Sequence, residues 1–289
     1  MQKLITVAGG DLRQLMLAKF LKEDGYGVNV FGFGEESKNS KFNVIDDIKD
    51  LKNSDALILP MPTTLDNIKI NAPLNKYDIK IAEISKNIKK STLVLGGRIN
   101  KLVFDAFSEN KCIDYYQREE LMIKNAVPTA EGAIELAMAE TGVTLNKCKC
   151  LVVGYGRIGK VLSKMLASLG AKVYVSARKH QDLAWIDVYG YNAIHNNSII
   201  DYVNNFDVIF NTVPSMIFNE NILKKVNPES VIIDLASKPG GIDFEKASDL
   251  GLKVIWALSL PGKVAPITSG KIIKDTIINI FSEEGFWWH

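Results

Sequence analysis

The sequence predicts an α/β protein of two domains, each built on a mostly parallel sheet. Two glycine-bearing turns, at residues 9–11 and 154–159, each follow a short apolar run and precede a pattern typical of an amphipathic helix. Further apolar runs alternate with helical patterns after each turn, an order that favours parallel strands with helices on both faces. With 289 residues, of which 47% are hydrophobic, the chain is long enough to bury two such cores.

The second turn gives the most specific signal. It lies in LVVGYGRIGKVLSKMLASLGAKVYVSAR, residues 151–178, which reads as strand, turn, helix and strand. Its glycines have the G-x-G-x-x-G spacing of Rossmann domains, in which backbone approaches a pyrophosphate and the helix N-terminus binds it. The predicted cofactor-binding residues are Gly154, Tyr155, Gly156, Arg157, Ile158 and Gly159, together with Thr212, Val213 and Pro214 after a later strand.

The end of the next strand indicates which nucleotide binds. A free ribose 2′-hydroxyl usually meets an Asp or Glu at that point. Here Ser176 and Ala177 are followed by Arg178 and Lys179, and no carboxylate appears before Asp182. An arginine fork and a serine hydroxyl match a 2′-phosphate, so we predict NADP. NAD is the alternative, with both cations lying in a solvated loop.

Domain boundaries follow from the order of predicted elements. We expect the first domain to span 1–125 and to include a C-terminal helix within 267–289, and the second to span 126–266. The predicted strands are 3–8, 28–33, 56–59, 92–95, 151–153, 172–175, 208–211, 231–235 and 254–256. Pro128 or Thr129 is expected to open a helix with Glu131 in its first turn, and a last helix is expected at 268–281.

Composition and charge exclude several classes of partner. The net charge is +2 and no basic stripe is interleaved with aromatic residues, so we expect no nucleic-acid partner. No apolar run approaches the roughly 20 residues of a membrane span, and no signal-peptide pattern is present, which favours a cytoplasmic protein. Three cysteines are too few for a disulfide framework. Cys148 and Cys150 resemble half of a metal site without its second half, so we expect no metal.

The loops after the predicted strands are the expected place for substrate, because ligands of open α/β sheets bind beyond the carboxyl ends of the strands. These loops offer glycine N–H groups, hydroxyls and single cations, a set suited to carboxylates. The predicted substrate-binding residues are Gly10, Asp11, Arg13, Gln14, Thr63, Thr64, Arg98, Thr129, Glu131, Lys238 and Gly262. Lys263 is a further candidate anchor. For Thr129 and Glu131, helix capping is the alternative, and Gly10 is equally suited to a tight turn.

Groups for proton transfer are scarce. The layout resembles the two-domain 2-hydroxyacid dehydrogenases, which use a His just ahead of the last helix. This chain has Leu260–Lys263 there and offers Lys238 where those enzymes use an Arg, so alcohol oxidation by that mechanism is disfavoured. The candidate catalytic residues are Lys238, Ser215 and Asp11.

Several motifs in one order resemble the A subunits of dipicolinate synthase, a sporulation enzyme of endospore-forming bacteria. They are GGDLRQ at 9–14, PTAEG at 128–132, GYGRIG at 154–159, NTVPSM at 211–216, DLASKPGGIDF at 234–244 and LPGKVAP at 260–266. The similarity runs over nearly the whole chain. Ile242, where a threonine is expected, and the aromatic tail 286–289 depart from the family pattern.

That resemblance implies a fold and an activity. The fold is an N-terminal flavodoxin-like or Rossmann-like domain followed by an NAD(P)-binding Rossmann domain. The activity is oxidation of a dihydrodipicolinate-level intermediate of lysine biosynthesis to pyridine-2,6-dicarboxylate, a small dicarboxylate, with NADP as hydride acceptor. The implied partner is a flavoprotein B subunit. The alternatives are another NADP-linked dehydrogenase of a small acid and a nucleotide-binding scaffold for a flavoprotein. A homo-oligomer is left open.

Overall fold

The computed structural model describes residues 3–38 and 42–286. The chain divides into two compact units, residues 1–124 with 265–289, and residues 125–264. Of the aromatic tail, Phe286 is described and stacks on Phe281 with ring centres 4.6 Å apart. The rest of the tail, Trp287, Trp288 and His289, lies outside the described residues.

The first unit is a parallel sheet covered by helices. Its strands are β1 (Leu4–Ala8), β2 (Gly27–Phe31), β3 (Asn43–Ile45), β4 (Ala56–Ile58), β5 (Leu93–Gly96) and β6 (Cys112–Asp114). Its helices are α1 (Leu12–Glu23), α2 (Glu35–Lys38), α3 (Ile81–Lys86), α4 (Lys101–Ala106) and α12 (Pro266–Glu283). All strands are parallel in the order β3-β2-β1-β4-β5-β6. This is the Rossmann order and not the flavodoxin order.

The C-terminal helix belongs to the core of this first unit. Its apolar residues Ile273, Ile277 and Ile280 are buried with those of β1 and α1. A Cβ added at Gly270 would lie 2.7 Å from the Arg13 carbonyl oxygen, so a glycine lets α12 pack against α1. The sequence prediction of a helix at 268–281 gave its position, and Pro266 extends it because proline is well placed at a first helical position.

The second unit repeats the same architecture. Its strands are β7 (Lys149–Val153), β8 (Lys172–Ala177), β9 (Asn192–His195), β10 (Val208–Asn211), β11 (Val231–Asp234) and β12 (Lys253–Trp256). Its helices are α6 (Arg157–Ser168), α7 (His180–Val188), α8 (Ile199–Tyr202), α9 (Glu220–Leu223), α10 (Phe244–Asp249) and α11 (Leu260–Val264). The sheet order is β9-β8-β7-β10-β11-β12, all parallel. The predicted α/β class with Rossmann sheets is confirmed.

The helix α5 (Glu119–Glu140) corrects one prediction. It begins well before Pro128, which lies inside it, so neither Thr129 nor Glu131 caps a helix. The Thr129 side chain is buried, and its hydroxyl donates to the Asn125 carbonyl one turn earlier at 2.8 Å. A second correction concerns Pro261, Gly262 and Lys263, which were expected in a loop and lie in the short helix α11. Within the described ranges, no helix combines the length and apolar character required to cross a bilayer.

Candidate functional site

The turn between β7 and α6 is shaped by its first and third glycines. Gly154 has a φ of +98° and donates its N–H to the Ser176 carbonyl at 3.0 Å. A Cβ added at Gly159 would lie 2.0 Å from the Gly154 carbonyl oxygen. Since both partners are backbone, α6 can approach the turn this closely only with glycine at that position.

The second glycine leaves the start of α6 open. Gly156 is the N-cap and has no side chain with which to occupy the helix N-terminus. A Cβ added there would meet none of the described atoms within 4 Å. An open helix N-terminus with converging N–H groups fits the pyrophosphate of a dinucleotide cofactor.

The loop after β10 lies against this turn, as the predicted cofactor site requires. A Cβ added at Gly154 would lie 2.5 Å from the Thr212 hydroxyl oxygen and 2.8 Å from a Val213 methyl group. That hydroxyl donates to the Val153 carbonyl at 2.9 Å. Pro214 and Ser215 follow and are exposed. Tyr155, within the turn, is buried, and burial raises the pKa of its phenol.

At the end of β8, two of the three residues predicted to contact a 2′-phosphate are exposed and one is buried. Arg178 and Lys179 are exposed, and α7 begins directly after them with Lys179 as its N-cap residue. Among the described residues neither side chain forms an ion pair. Ser176 differs from the prediction: its hydroxyl is fully buried without a hydrogen-bond partner in the described chain, so it is not presented to a phosphate.

A buried Asn–Asp pair, which the sequence interpretation did not select, links the ends of β10 and β11. The Asn211 amide nitrogen donates to Asp234 Oδ1 at 2.8 Å and to the Val213 carbonyl at 3.0 Å. The same Asp234 carboxylate accepts the N–H of Ala236 at 3.0 Å and that of Gly241 at 3.0 Å. A polar side chain at the last position of each of two neighbouring strands was the available signal.

The segment held by Asp234 carries Lys238. Lys238 is exposed, and its ammonium lies 6.0 Å from the ring centre of Trp256. The indole N–H of Trp256 donates to the Ala236 carbonyl at 3.0 Å and so fixes the ring beside this segment. Lys238 is therefore presented to solvent from a backbone that is anchored at both ends.

The first unit has a similar turn between β1 and α1, but a side chain occupies the N-cap of the helix. Gly9, like Gly154, has a positive φ and donates its N–H to the end of the neighbouring strand, at Phe31. Asp11 takes the N-cap place that Gly156 has in the second unit, and its carboxylate accepts the Arg13 N–H at 3.0 Å. With an acidic side chain at its N-cap, the start of α1 is less suited to a phosphate than the start of α6.

Arg13 and Asp11 bind each other. The Arg13 Nη2 atom donates to Asp11 Oδ2 at 2.8 Å and to the Met61 carbonyl at 2.9 Å, and Nε donates to Asp11 Oδ1 at 2.9 Å. Only 8% of the Arg13 side chain is exposed. Both were predicted to bind substrate and Asp11 also to take a proton, but their charges neutralise each other at the start of α1.

Three other predicted substrate residues of this unit also make internal bonds. The Gln14 amide nitrogen donates to the Tyr115 hydroxyl at 3.0 Å, and burial raises the pKa of Tyr115. The buried Thr63 hydroxyl donates to the Gly97 carbonyl at 3.1 Å. The Thr64 hydroxyl accepts the Asn67 N–H at 2.9 Å. Gln14 thus ties α1 to the residues after β6, and the two threonines stabilise the loop in which they lie. Gly10, with a φ of +104°, supports the tight-turn alternative.

The remaining predicted residues lie on exposed or helical positions. Arg98 is exposed, has a φ of +55° and donates from Nη2 to the Tyr116 hydroxyl at 2.8 Å. Glu131 is exposed in α5, and Gly262 is half-buried in α11 beside the exposed Lys263. Of the cations predicted to bind carboxylates, the exposed ones are Arg98, Lys238 and Lys263.

Comparisons with known proteins agree with this architecture. The model of the N-terminal domain of the dipicolinate synthase A subunit matches residues 4–116, and that of the D-isomer specific 2-hydroxyacid dehydrogenase NAD-binding domain matches residues 122–239. The dipicolinate synthase A subunit of Bacillus subtilis strain 168 is 32% identical over 285 residues, which cover 96% of each chain. The chain belongs to the family of dipicolinate synthase A subunits.

Solved structures support the same assignment. The crystal structure of the Bacillus subtilis dipicolinate synthase A chain superposes with a TM-score of 0.88 at 30% identity, covering 98% of this chain and 97% of that one. The dipicolinate synthase A subunit from Bacillus halodurans gives a TM-score of 0.88 at 29% identity, covering 97% and 98%. Family membership and the NAD-binding domain together support an oxidoreductase that uses a nicotinamide cofactor.

Proposed function

We propose that this protein oxidises a dihydrodipicolinate-level intermediate to pyridine-2,6-dicarboxylate with NADP as hydride acceptor. The observation that carries the proposal is the open N-terminus of α6 at Gly156, in a chain of the dipicolinate synthase A subunit family. The proposal includes a flavoprotein partner, the B subunit, and a role in sporulation, both of which the family resemblance implies. It also includes a cytoplasmic location, which rests on the sequence pattern.

The second unit would hold the cofactor with residues already brought together. Gly156 and the first N–H groups of α6 would face the pyrophosphate, and Thr212 and Val213 would lie beside it. When bound, the nicotinamide ring supplies the acceptor for the hydride that leaves the substrate. The residues of this chain would orient the substrate and the cofactor so that the hydride passes directly between them.

NADP is preferred to NAD because of the charges at the end of β8. Arg178 and Lys179 are exposed and without ion pairs among the described residues, and Ala177 ends the strand where an NAD-specific domain places a carboxylate. A 2′-phosphate has two negative charges that such cations neutralise. With the Ser176 hydroxyl buried, the two cations alone support this preference.

An exposed cation of the second unit suits the proposed substrate. A pyridine-2,6-dicarboxylate precursor has carboxylates, and Lys238 is an exposed cation in the loop that follows β11. Aromatisation releases one hydride and one proton, and the aromatic product supplies much of the driving force. Lys238 therefore needs to bind a carboxylate electrostatically more than to act as a strong base. Ser215, exposed after β10, is the proposed hydroxyl for relaying the proton to solvent.

A reconstituted assay tests the proposal. The purified chain, its B subunit alone and the two subunits together are each mixed with the dihydrodipicolinate precursor and either NADP or NAD. We expect NADPH absorbance and the ultraviolet bands of the pyridine product to rise together in equal amounts. Absence of pyridine product with both nicotinamides and every subunit combination would exclude the proposed reaction. Product formed at the same rate when only the B subunit is present would favour the scaffold alternative.

A further inference from the structure

Two loops of the second unit are joined by backbone as well as by side chains. The β10 loop (residues 212–218) and the β11 loop (residues 235–241) follow adjacent strands. At their outer ends, the Gly241 carbonyl accepts the N–H groups of Ile217 at 2.9 Å and Phe218 at 3.0 Å. Phe218 and Ile242 form a short parallel bridge. The loops are therefore linked by backbone hydrogen bonds as well as by the pairing of the strands that they leave.

Asn211 and Asp234 close the inner end of the same structure. Both side chains are completely buried, and the Asp234 carboxylate accepts three N–H donors from Asn211, Ala236 and Gly241. A Cβ added at Gly241 would lie 2.3 Å from the Asn211 amide nitrogen and 2.6 Å from the Val213 carbonyl oxygen. A carboxylate is buried at low cost only when hydrogen-bond donors of this kind surround it.

We propose that Asn211 and Asp234 are positioning residues that hold the β10 and β11 loops as one unit. Thr212 and Val213 lie in one loop and Lys238 in the other, so the pair fixes the cofactor residues relative to the exposed ammonium. This inference deepens the proposed function and depends on it for the chemical meaning of Lys238. The linkage itself depends only on the hydrogen bonds.

Hydrogen exchange of the full chain without ligands tests the linkage directly. Asp234→Asn keeps the shape but places an amide nitrogen against a backbone N–H of Ala236 or Gly241. Exchange at those amides should accelerate by about tenfold or more, since local opening sets the rate. If the loops form one unit, Val213, Ile217 and Phe218 should accelerate as well, while the amides of β8 stay unchanged. Acceleration confined to Ala236 and Gly241 would overturn the proposal.

A second variant covers the possibility that Asp234→Asn does not fold. Gly241→Ala introduces only a methyl group between the loops, and Gly142→Ala is its control because a Cβ there meets no described atom within 4 Å. Gly241→Ala should accelerate exchange in both loops, and Gly142→Ala in neither. The same exchange rates in the two loops for Gly241→Ala and Gly142→Ala would contradict the linkage.

Turnover separates positioning from a merely structural role. In both variants that perturb the pair, kcat should fall about tenfold to a hundredfold while KM for NADP changes much less, because small displacements impair alignment more than binding. A rise in the KM for NADP as large as the fall in kcat would indicate that the whole cofactor site is less ordered, and would contradict the positioning role. If the wild-type chain has no activity on the proposed substrate, the proposed function fails, while the exchange result still decides the linkage.

Discussion

The Cβ atom that Gly159 lacks would lie 2.0 Å from the carbonyl oxygen of Gly154. Neither side of this contact has a flexible side chain that could move away, so the two glycines fix the distance between α6 and its turn. In the first unit the corresponding position is Gln14, whose Cγ would lie 2.2 Å from a Cβ added at Gly10. There Gly10, in the turn, leaves room for the Gln14 side chain, and Asp11 is the N-cap of α1.

We predict that Gly159→Ala both destabilises the second unit and weakens cofactor binding. The methyl group must displace backbone, and overpacking of this kind costs about 1–3 kcal/mol. Thermal unfolding should therefore shift down by roughly 3–10 °C. Calorimetry with NADP should show a loss of affinity in the same variant.

Gly156→Ala is the matched control, because a Cβ there meets no described atom within 4 Å. Its unfolding temperature should stay at the wild-type value, while NADP affinity falls at least about tenfold because the methyl group occupies the pyrophosphate approach. Retention of full affinity in Gly156→Ala would show that the pyrophosphate does not bind at α6.

Arg178→Ala should weaken NADP much more than NAD. A hydrogen bond to a charged group contributes about 1.5–3 kcal/mol, which corresponds to roughly 10–150-fold in affinity for the 2′-phosphate. NAD has no phosphate at that position and should change by less than about twofold. Lys172→Ala is the control, since Lys172 is an exposed cation at the opposite end of the same strand. Equal weakening of both nucleotides would contradict the NADP assignment.

Local patterns were sufficient to predict the turn of the second unit. Its strand, turn and helix lie within residues 151–178, and the spacing identifies Gly154 and Gly159, where a Cβ would meet close neighbours. The strands β3 and β6 escaped prediction because each has a single fully buried residue and no apolar run, unlike the equally short but fully buried β4. The start of α5 was wrong because proline was interpreted as a first helical residue, whereas the buried Pro128 is accommodated inside the helix.

Long-range pairing set the limit for the candidate site. The Arg13 guanidinium binds the Met61 carbonyl, 48 positions away in the chain, and no local pattern could predict that this cation is buried. The Asn211–Asp234 pair also depends on two strands being neighbours in the sheet. Residue type identified candidates for charge and hydroxyl chemistry, but burial decided which of them are exposed.

The Cys112 thiol should be unreactive, and it should make the free energy of unfolding fall as the pH rises into the alkaline range. Burial, with a contribution from Asp114, raises the pKa of Cys112 from 9.0 to about 12. The folded state thus favours the neutral thiol, so its contribution to stability is present below pH 9 and is lost as the pH rises toward 12. Denaturant unfolding between pH 8 and 11 should show a steeper loss for wild type than for Cys112→Ser, and a thiol probe at pH 8 should react slowly with Cys112. Parallel pH profiles would contradict the shift.

Lys238→Ala should lower turnover by roughly 10–150-fold, the range expected for losing one charged hydrogen bond to a substrate carboxylate. NADP affinity should stay unchanged, because the ammonium, 6.0 Å from the Trp256 ring centre, is proposed to bind the substrate carboxylate and not the nucleotide. Lys238→Arg keeps the positive charge and should restore part of the activity. Lys225→Ala removes another exposed cation of the same unit and should leave kcat and KM unaltered.

Arg13 is a poorer probe, since its buried guanidinium binds Asp11 and its removal would destabilise α1. Steady-state kinetics of the reconstituted complex decide the matter: wild-type turnover in Lys238→Ala would exclude an electrostatic role for Lys238 and favour chemistry located on the flavoprotein partner.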